Sequence, residues 1–122
     1  MPRILIAEDN QDLLAILAGR FRALGFEVVD VLNGADALAA AKKQRPDVVL
    51  LDVMMPELNG FQVCRRLKED PALASVPIVL LTAKDTDADK FWGSEVGANL
   101  YLTKPIDPAQ VVTHVQQLLR EY

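Results

Sequence analysis

Five side chains in this sequence are of types that could act together on one ligand. Glu8 and Asp9 follow the first short apolar run, Asp52 closes the third, Thr82 closes the fourth, and Lys104 lies shortly past the fifth. Three carboxylates brought close repel one another, so such a cluster must keep protons or bind a cation. An all-oxygen acidic site with few ligands suits Mg²⁺, which keeps several waters and binds alongside phosphate. The Lys104 ammonium and the Thr82 hydroxyl would give a phosphoryl oxygen a point charge and a hydrogen-bond donor. Asp52 would then be the nucleophile, because a carboxylate can attack phosphorus to form an aspartyl phosphate. In-line transfer is mainly a matter of positioning the group and neutralising its equatorial oxygens, and this set supplies both.

Each residue also has a plain reading. Acidic residues after strands are often helix caps or solvated loop residues, and a lone lysine is usually a surface lysine. Asp52 fits that reading less well, because Met54-Met55-Pro56 follows it rather than polar loop residues. The combination is what carries the chemistry.

Whether the five meet depends on the elements that hold them. Short apolar runs at 4–7, 27–31, 48–51, 78–82 and 99–102 alternate with longer stretches of helical period. The runs at 48–51 and 78–81 are apolar without alternation, as in strands of a parallel sheet covered on both faces. Leu13, Leu14, Leu17, Phe21 and Leu24 recur every three or four residues, with Asn10 placed to cap the first turn. Asn33 precedes an alanine-rich segment containing Leu38, and Val63, Cys64 and Leu67 mark a third helix. A fourth is expected over 85–96. In the last, Asp107 is an N-cap candidate, Pro108 suits the first helical position, and Val111, Val112, Val115, Leu118 and Leu119 form one stripe.

Five repeats of strand then helix imply an α/β fold, a doubly wound five-stranded parallel sheet flanked by five helices with right-handed crossovers. Ligands of such folds sit beyond the carboxyl ends of the strands, near the switch point of the strand order. All five chemistry-bearing residues are expected on that rim.

The 122 residues fit one domain spanning 1–122, without linker, repeat or low-complexity segment. Apolar residues at 51% and charged ones at 25% argue for a globular protein. Thirteen basic against 17 acidic side chains give a net charge of −4, which lends no support to a nucleic-acid footprint. The one cysteine, Cys64, cannot form an internal disulfide, so a reducing compartment is the natural reading. No apolar run approaches the roughly 18–20 residues of a membrane span. The start, Pro2-Arg3-Ile4-Leu5-Ile6, lacks a signal-peptide layout, and the expected location is the cytoplasm.

Glu8-Asp9, the stretch Val49-Leu50-Leu51-Asp52-Val53-Met54-Met55-Pro56 with Asn59-Gly60, Leu81-Thr82-Ala83, and Gly97-Ala98 followed by Tyr101 and Lys104-Pro105 stand in order along the whole chain. Together they resemble the receiver domain of bacterial two-component response regulators, the chemotaxis regulators among them. The resemblance implies a flavodoxin-like sheet of order 2-1-3-4-5. It also implies that Asp52 is the phosphoacceptor, that Asp9 binds Mg²⁺ directly, and that Glu8 reaches it through water. Met54 would contribute its backbone carbonyl to the metal. Thr82 and Lys104 match the phosphoryl-oxygen ligands, and Ala83 the small residue that leaves the acceptor accessible. Tyr101 matches the aromatic switch residue, whose ring turns inward when Thr82 moves toward the phosphate. Lys104-Pro105 matches a bond that is cis in the family, which would aim the lysine into the site. Met54 and Lys84 match positions flanking the mouth of the site, where dephosphorylation is tuned.

The implied function is a phosphoryl-accepting switch rather than a turnover enzyme, although it assists its own phosphorylation and dephosphorylation. A histidine kinase, a phosphotransfer protein or a small phosphodonor would load it. A downstream protein would read the surface formed by the fourth helix, fifth strand and fifth helix, with the switch a monomer or a phosphorylation-dependent dimer. Phe91 and Trp92, about 100° apart on the fourth helix, cannot both point inward, so one borders that surface. His114 reads as a boundary histidine and Cys64 as core packing.

Three rivals compete with this reading. A haloacid-dehalogenase-like phosphatase would want a second aspartate two positions after the first, where Met54 stands, and room for a substrate cap. A flavodoxin-like nucleotide binder would want a small-residue turn after the first strand, where Glu8-Asp9-Asn10 would repel phosphate. A degenerate receiver serving only as a docking module would lack some of the site residues, all of which are present.

Overall fold

The computed structural model describes residues 2–83 and 96–121. Its elements are β1 (Arg3–Ala7), α1 (Gln11–Ala23), β2 (Glu27–Val31), α2 (Gly34–Lys43), β3 (Val48–Asp52), α3 (Gly60–Glu69), β4 (Ile78–Thr82), β5 (Leu100–Thr103) and α4 (Pro108–Glu121). The strands form one parallel sheet in the order β2-β1-β3-β4-β5. Four helices stand among the described residues. The helix expected over 85–96 lies outside them except for Val96, and so do Phe91 and Trp92.

The unbroken apolar strands have a direct cause. Leu5, Ala7, Val49, Leu51, Ile78 and Leu80 pack on one face against α2 and α3 through Ala37, Leu38, Ala41, Val63, Cys64 and Leu67. Ile4, Ile6, Val48, Leu50, Val79 and Leu81 pack on the other against Leu14, Leu17 and Phe21 of α1 and Val111, Val115 and Leu118 of α4. With both faces covered, successive side chains of a strand are both buried and no polar alternation survives.

The helix starts follow from short polar side chains. The Asn10 side chain accepts from the Leu13 amide at 3.1 Å, and Asn33 accepts from the Asp36 amide at 2.8 Å. Asp107 accepts from the Ala109 amide at 2.9 Å, with Pro108 at the first position of α4, where its missing N–H costs nothing.

Several boundaries differ from expectation: β1 begins one residue earlier at Arg3, β3 runs on through Asp52, and β5 spans Leu100–Thr103. Leu24 does not continue the buried stripe of α1; it is the C-cap and 52% exposed. The last strand begins at Leu100 because Asn99 closes a turn instead. Its amide donates to the Ile78 carbonyl at 2.8 Å, and its side-chain oxygen accepts from the Ile78 amide at 2.9 Å.

Candidate functional site

The register of the sheet assembles the site. Ala7 pairs with Leu51, Asp52 with Leu81, and Thr82 with Thr103, so β1, β3, β4 and β5 end at one level. The residues just past those ends are tied by backbone bonds, from Val53 to the Leu81 carbonyl at 2.7 Å and from Lys104 to the Thr82 carbonyl. Glu8, Asp52 and Thr82 are the buried polar residues among those described, at 0%, 1% and 2% exposure, and Asp9 is exposed beside them. All-apolar strands that end in buried acids are costly unless those acids have partners.

The partners are few. Lys104 Nζ donates to Glu8 Oε1 at 2.9 Å and lies 3.3 Å from Asp52 Oδ1. The other Glu8 oxygen accepts from the Asn10 amide at 3.0 Å, and Asp52 Oδ1 accepts from the Met54 amide at 3.3 Å. One oxygen from each of Glu8, Asp9 and Asp52 lies within 4.8 Å of the others. Among the described residues, three carboxylates thus share one ammonium. Burial, then the hydrogen bond and charge of Glu8, push Asp52 from its ordinary 3.8 up to about 7, against the opposing pull of Lys104. Burial on its own would lower the pKa of Lys104, but the Glu8 hydrogen bond and the charges of Asp52 and Glu8 outweigh it and hold that pKa above the usual lysine value.

This donor set fits a small divalent cation. It is all oxygen, open on the Asp9 side, and short of positive charge by the measure of the raised Asp52 carboxyl.

The remaining residues of interest are placed as follows. Met54 is 63% exposed, with only its backbone turned to Asp52. Tyr101 is half-buried against the α2 and α3 side of the core and pairs with Leu80, which puts it on the same face of the sheet as Thr82. The Lys104–Pro105 peptide is cis. His114 is half-buried and Cys64 fully buried, its thiol pushed up to about 11 by burial. Lys84 lies outside the described residues.

Two supports of the site were not read from the sequence. Asn59 and Gln62 form a reciprocal capping box at the start of α3, each side chain accepting from the other's backbone amide at 2.9 Å. The signal was there, as Asn-Gly-Phe-Gln before Val63. Gly60 in that box sits against the acceptor strand: a Cβ there would lie 2.5 Å from the Asp52 carbonyl oxygen and 2.9 Å from Val53 Cα. Only a residue without a side chain lets α3 approach the backbone of Asp52 so closely.

A doubly wound sheet with a Glu-Asp-Asp cluster and a lysine at the carboxyl ends of its strands is the arrangement of a two-component signalling domain. The chain belongs to the response regulator receiver domain family, whose model matches residues 4–116. It is 40% identical to protein PilH of Pseudomonas aeruginosa over 98% of both chains. It is 43% identical to the response regulator PleD of Caulobacter vibrioides over 97% of this chain, but spans only 26% of PleD. Among solved structures, the receiver domain of a sensor histidine kinase from Pseudomonas aeruginosa, described with a magnesium ion coordinated in its active-site cleft, matches with a TM-score of 0.88 and 31% identity over 97% of both chains. Receiver domains are signalling switches that bind Mg²⁺ at an acidic pocket and work with histidine kinases and downstream effectors.

Proposed function

We propose that this chain is the phosphoryl-accepting switch of a two-component phosphorelay, with Asp52 as the acceptor. The observation that carries the reading is the ammonium of Lys104 set between buried Glu8 and Asp52, with Asp9 completing the cluster. A buried carboxylate left short of counter-charge is poised to gain from a cation and from a phosphoryl group whose oxygens can take over the lysine.

Glu8, Asp9, Asp52 and the Met54 carbonyl would hold Mg²⁺, which when bound supplies charge to neutralise phosphoryl oxygens. In the transfer, an Asp52 carboxylate oxygen forms the new P–O bond. The donor's P–N or P–O bond breaks, and its electron pair stays on the departing atom. Lys104 and the Thr82 hydroxyl donate to the transferred oxygens. As Thr82 turns toward them it vacates space beside Tyr101, which moves inward, a shift between two pre-existing conformations. The surface of 85–96, β5 and α4 then changes for a downstream partner.

The donor is a histidine kinase, a phosphotransfer protein or a small phosphodonor, and the setting is the cytoplasm. The chain works as a monomer or a phosphorylation-dependent dimer, and one domain spans 1–122.

Incubation with acetyl phosphate and Mg²⁺, followed by intact-mass spectrometry, tests this reading. Wild type should gain one phosphoryl group, while Asp52→Asn, nearly isosteric but a poor nucleophile, and wild type in excess chelator should gain none. Equal labelling of Asp52→Asn would remove the acceptor assignment, and full labelling in chelator would remove the metal.

A further inference from the structure

Phe61 follows directly on Gly60, the residue pressed against the Asp52 carbonyl, and its half-buried ring packs on the α2 and α3 side of the core. It lines a cavity of about 360 Å³ together with Val53, Met54, Met55, Asn59 and Thr82. Two of these residues follow the acceptor directly, Met54 donates its amide to Asp52 Oδ1, and Thr82 ends the neighbouring strand. The cavity therefore lies beside the loop that follows the acceptor and the end of the neighbouring strand. The walls from Val53, Met54, Met55 and Phe61 are apolar, Asn59 and Thr82 add polar groups, and Asp52 itself belongs to the acidic cluster with Glu8 and Asp9.

In-line transfer requires room for the leaving group beyond the phosphorus, opposite the attacking Asp52 oxygen. The two chemical classes of donor differ in what departs. An acyl phosphate breaks its P–O bond and releases a carboxylate anion. A phosphoimidazole whose other ring nitrogen is protonated breaks its P–N bond, keeps the electron pair on nitrogen, and leaves as neutral imidazole. Apolar walls offer a carboxylate anion no hydrogen bond and accept a neutral planar ring, which can also stack on an aromatic face.

Resting on Asp52 as the acceptor, we propose that Phe61 forms the wall of a leaving-group site that selects the neutral, planar imidazole of phosphohistidine-type donors over the anionic leaving group of acyl phosphates. Phe61 acts on the departing ring, not on Asp52 itself.

The test compares phosphorylation rate constants for phosphoimidazole and acetyl phosphate, in saturating Mg²⁺, by quenched intact-mass spectrometry. Phe61→Ala should lower the phosphoimidazole rate by about three- to tenfold, the range expected for loss of one aromatic contact, and change the acetyl phosphate rate less than twofold. Phe61→Tyr, which keeps the ring, should restore the ratio. If Phe61→Ala does not give a native circular dichroism spectrum, Phe61→Leu carries the same comparison, since it keeps apolar volume and removes the planar face. A ratio unchanged from wild type, whether both rates fall together or neither falls, overturns the inference. Labelling of Asp52→Asn by either donor would instead overturn the acceptor assignment, so the two failures are distinguishable.

Discussion

Lys104 and Glu8, 96 residues apart in sequence, are joined by a 2.9 Å ion pair at the carboxyl ends of β1 and β5. Glu8 is fully buried and Lys104 is about a quarter exposed, so the pair is anchored in the core and capped by solvent. Removing one partner of a buried pair leaves the other charge uncompensated.

Lys104→Met keeps most of the apolar stem and removes the charge. At pH 8 it should cost about 1–3 kcal/mol in urea unfolding, less than a fully buried pair would, because water reaches the ammonium. At pH 5 the loss should shrink because Asp52 takes up a proton instead. An equal loss at both pH values would mean that the lysine matters for packing and not for charge.

Asp52 carries its own pH signature. Its folded-state pKa is raised, from 3.8 to about 7, so the folded form binds a proton more tightly than the unfolded chain. Its contribution to stability is therefore fully present below about pH 4 and lost as pH rises through about 7. In metal-free buffer the full effect is on the order of 2–4 kcal/mol. Asp52→Asn should flatten the profile between pH 4 and 8 and be the more stable protein at pH 8. Urea unfolding of both proteins across that range decides it. Parallel curves would show that no net protonation difference resides at Asp52.

Gly60→Ala should be far more damaging than an ordinary glycine substitution in a first helical turn. The added methyl meets the backbone of Asp52 and Val53 rather than a yielding side-chain tip, so α3 must move off β3. Overpacking of this kind costs roughly 1–3 kcal/mol, several degrees in Tm for a domain of this size. Because the displaced backbone carries the acceptor, phosphorylation by acetyl phosphate should slow as well. Gly19, whose added Cβ meets nothing within 4 Å, is the control, and Gly19→Ala should leave both Tm and rate unharmed. Similar effects at the two positions would refute the close approach.

Much of this architecture was legible because local rules agree with the fold. The apolar runs at 48–51 and 78–82 have no alternation to misread, and Asn10, Asn33 and Asp107 announce their helices. Residues placed after strand ends converge wherever a parallel sheet is doubly wound, so Glu8, Asp9, Asp52, Thr82 and Lys104 could be grouped before any coordinate. What could not be read depends on distance across the fold. No local pattern says that Lys104 pairs with Glu8, or that Gly60 touches Asp52. Asn99 reads as the start of a strand, yet its side chain accepts from the Ile78 amide, a tertiary contact that overrides the pattern.

Thr82 and Tyr101 share one face of the sheet, with Tyr101 paired to Leu80 two residues before Thr82. If Thr82 couples the acceptor to Tyr101, beryllofluoride standing in for the phosphoryl group should shift amide resonances of Tyr101 and β5 in wild type. In Thr82→Ala those shifts should shrink severalfold, although Asp52 still binds the analogue. Responses of equal size in the two proteins would refute the coupling.

The lifetime of the phosphorylated form should be set at the mouth of the site, where Met54 stands 63% exposed with its amide on Asp52 Oδ1. Hydrolysis of the acyl phosphate needs a water in line with the P–O bond, opposite Asp52. Glu8, the nearest buried acid, accepts from Lys104 and from the Asn10 amide, so both its oxygens are engaged. With Glu8 so held, access and local polarity should govern the rate. A bulky, apolar Met54 hinders an ordered water, and Met54→Asn offers it hydrogen bonds instead. Dephosphorylation should therefore accelerate severalfold in Met54→Asn, each tenfold corresponding to about 1.4 kcal/mol in the barrier. Lys84 stands two positions after Thr82 in sequence, and Lys84→Glu should also change the rate without abolishing phosphorylation. The half-life of labelled protein in Mg²⁺ is the measurement. Unchanged half-lives in both variants and in the double variant would place control of the water elsewhere.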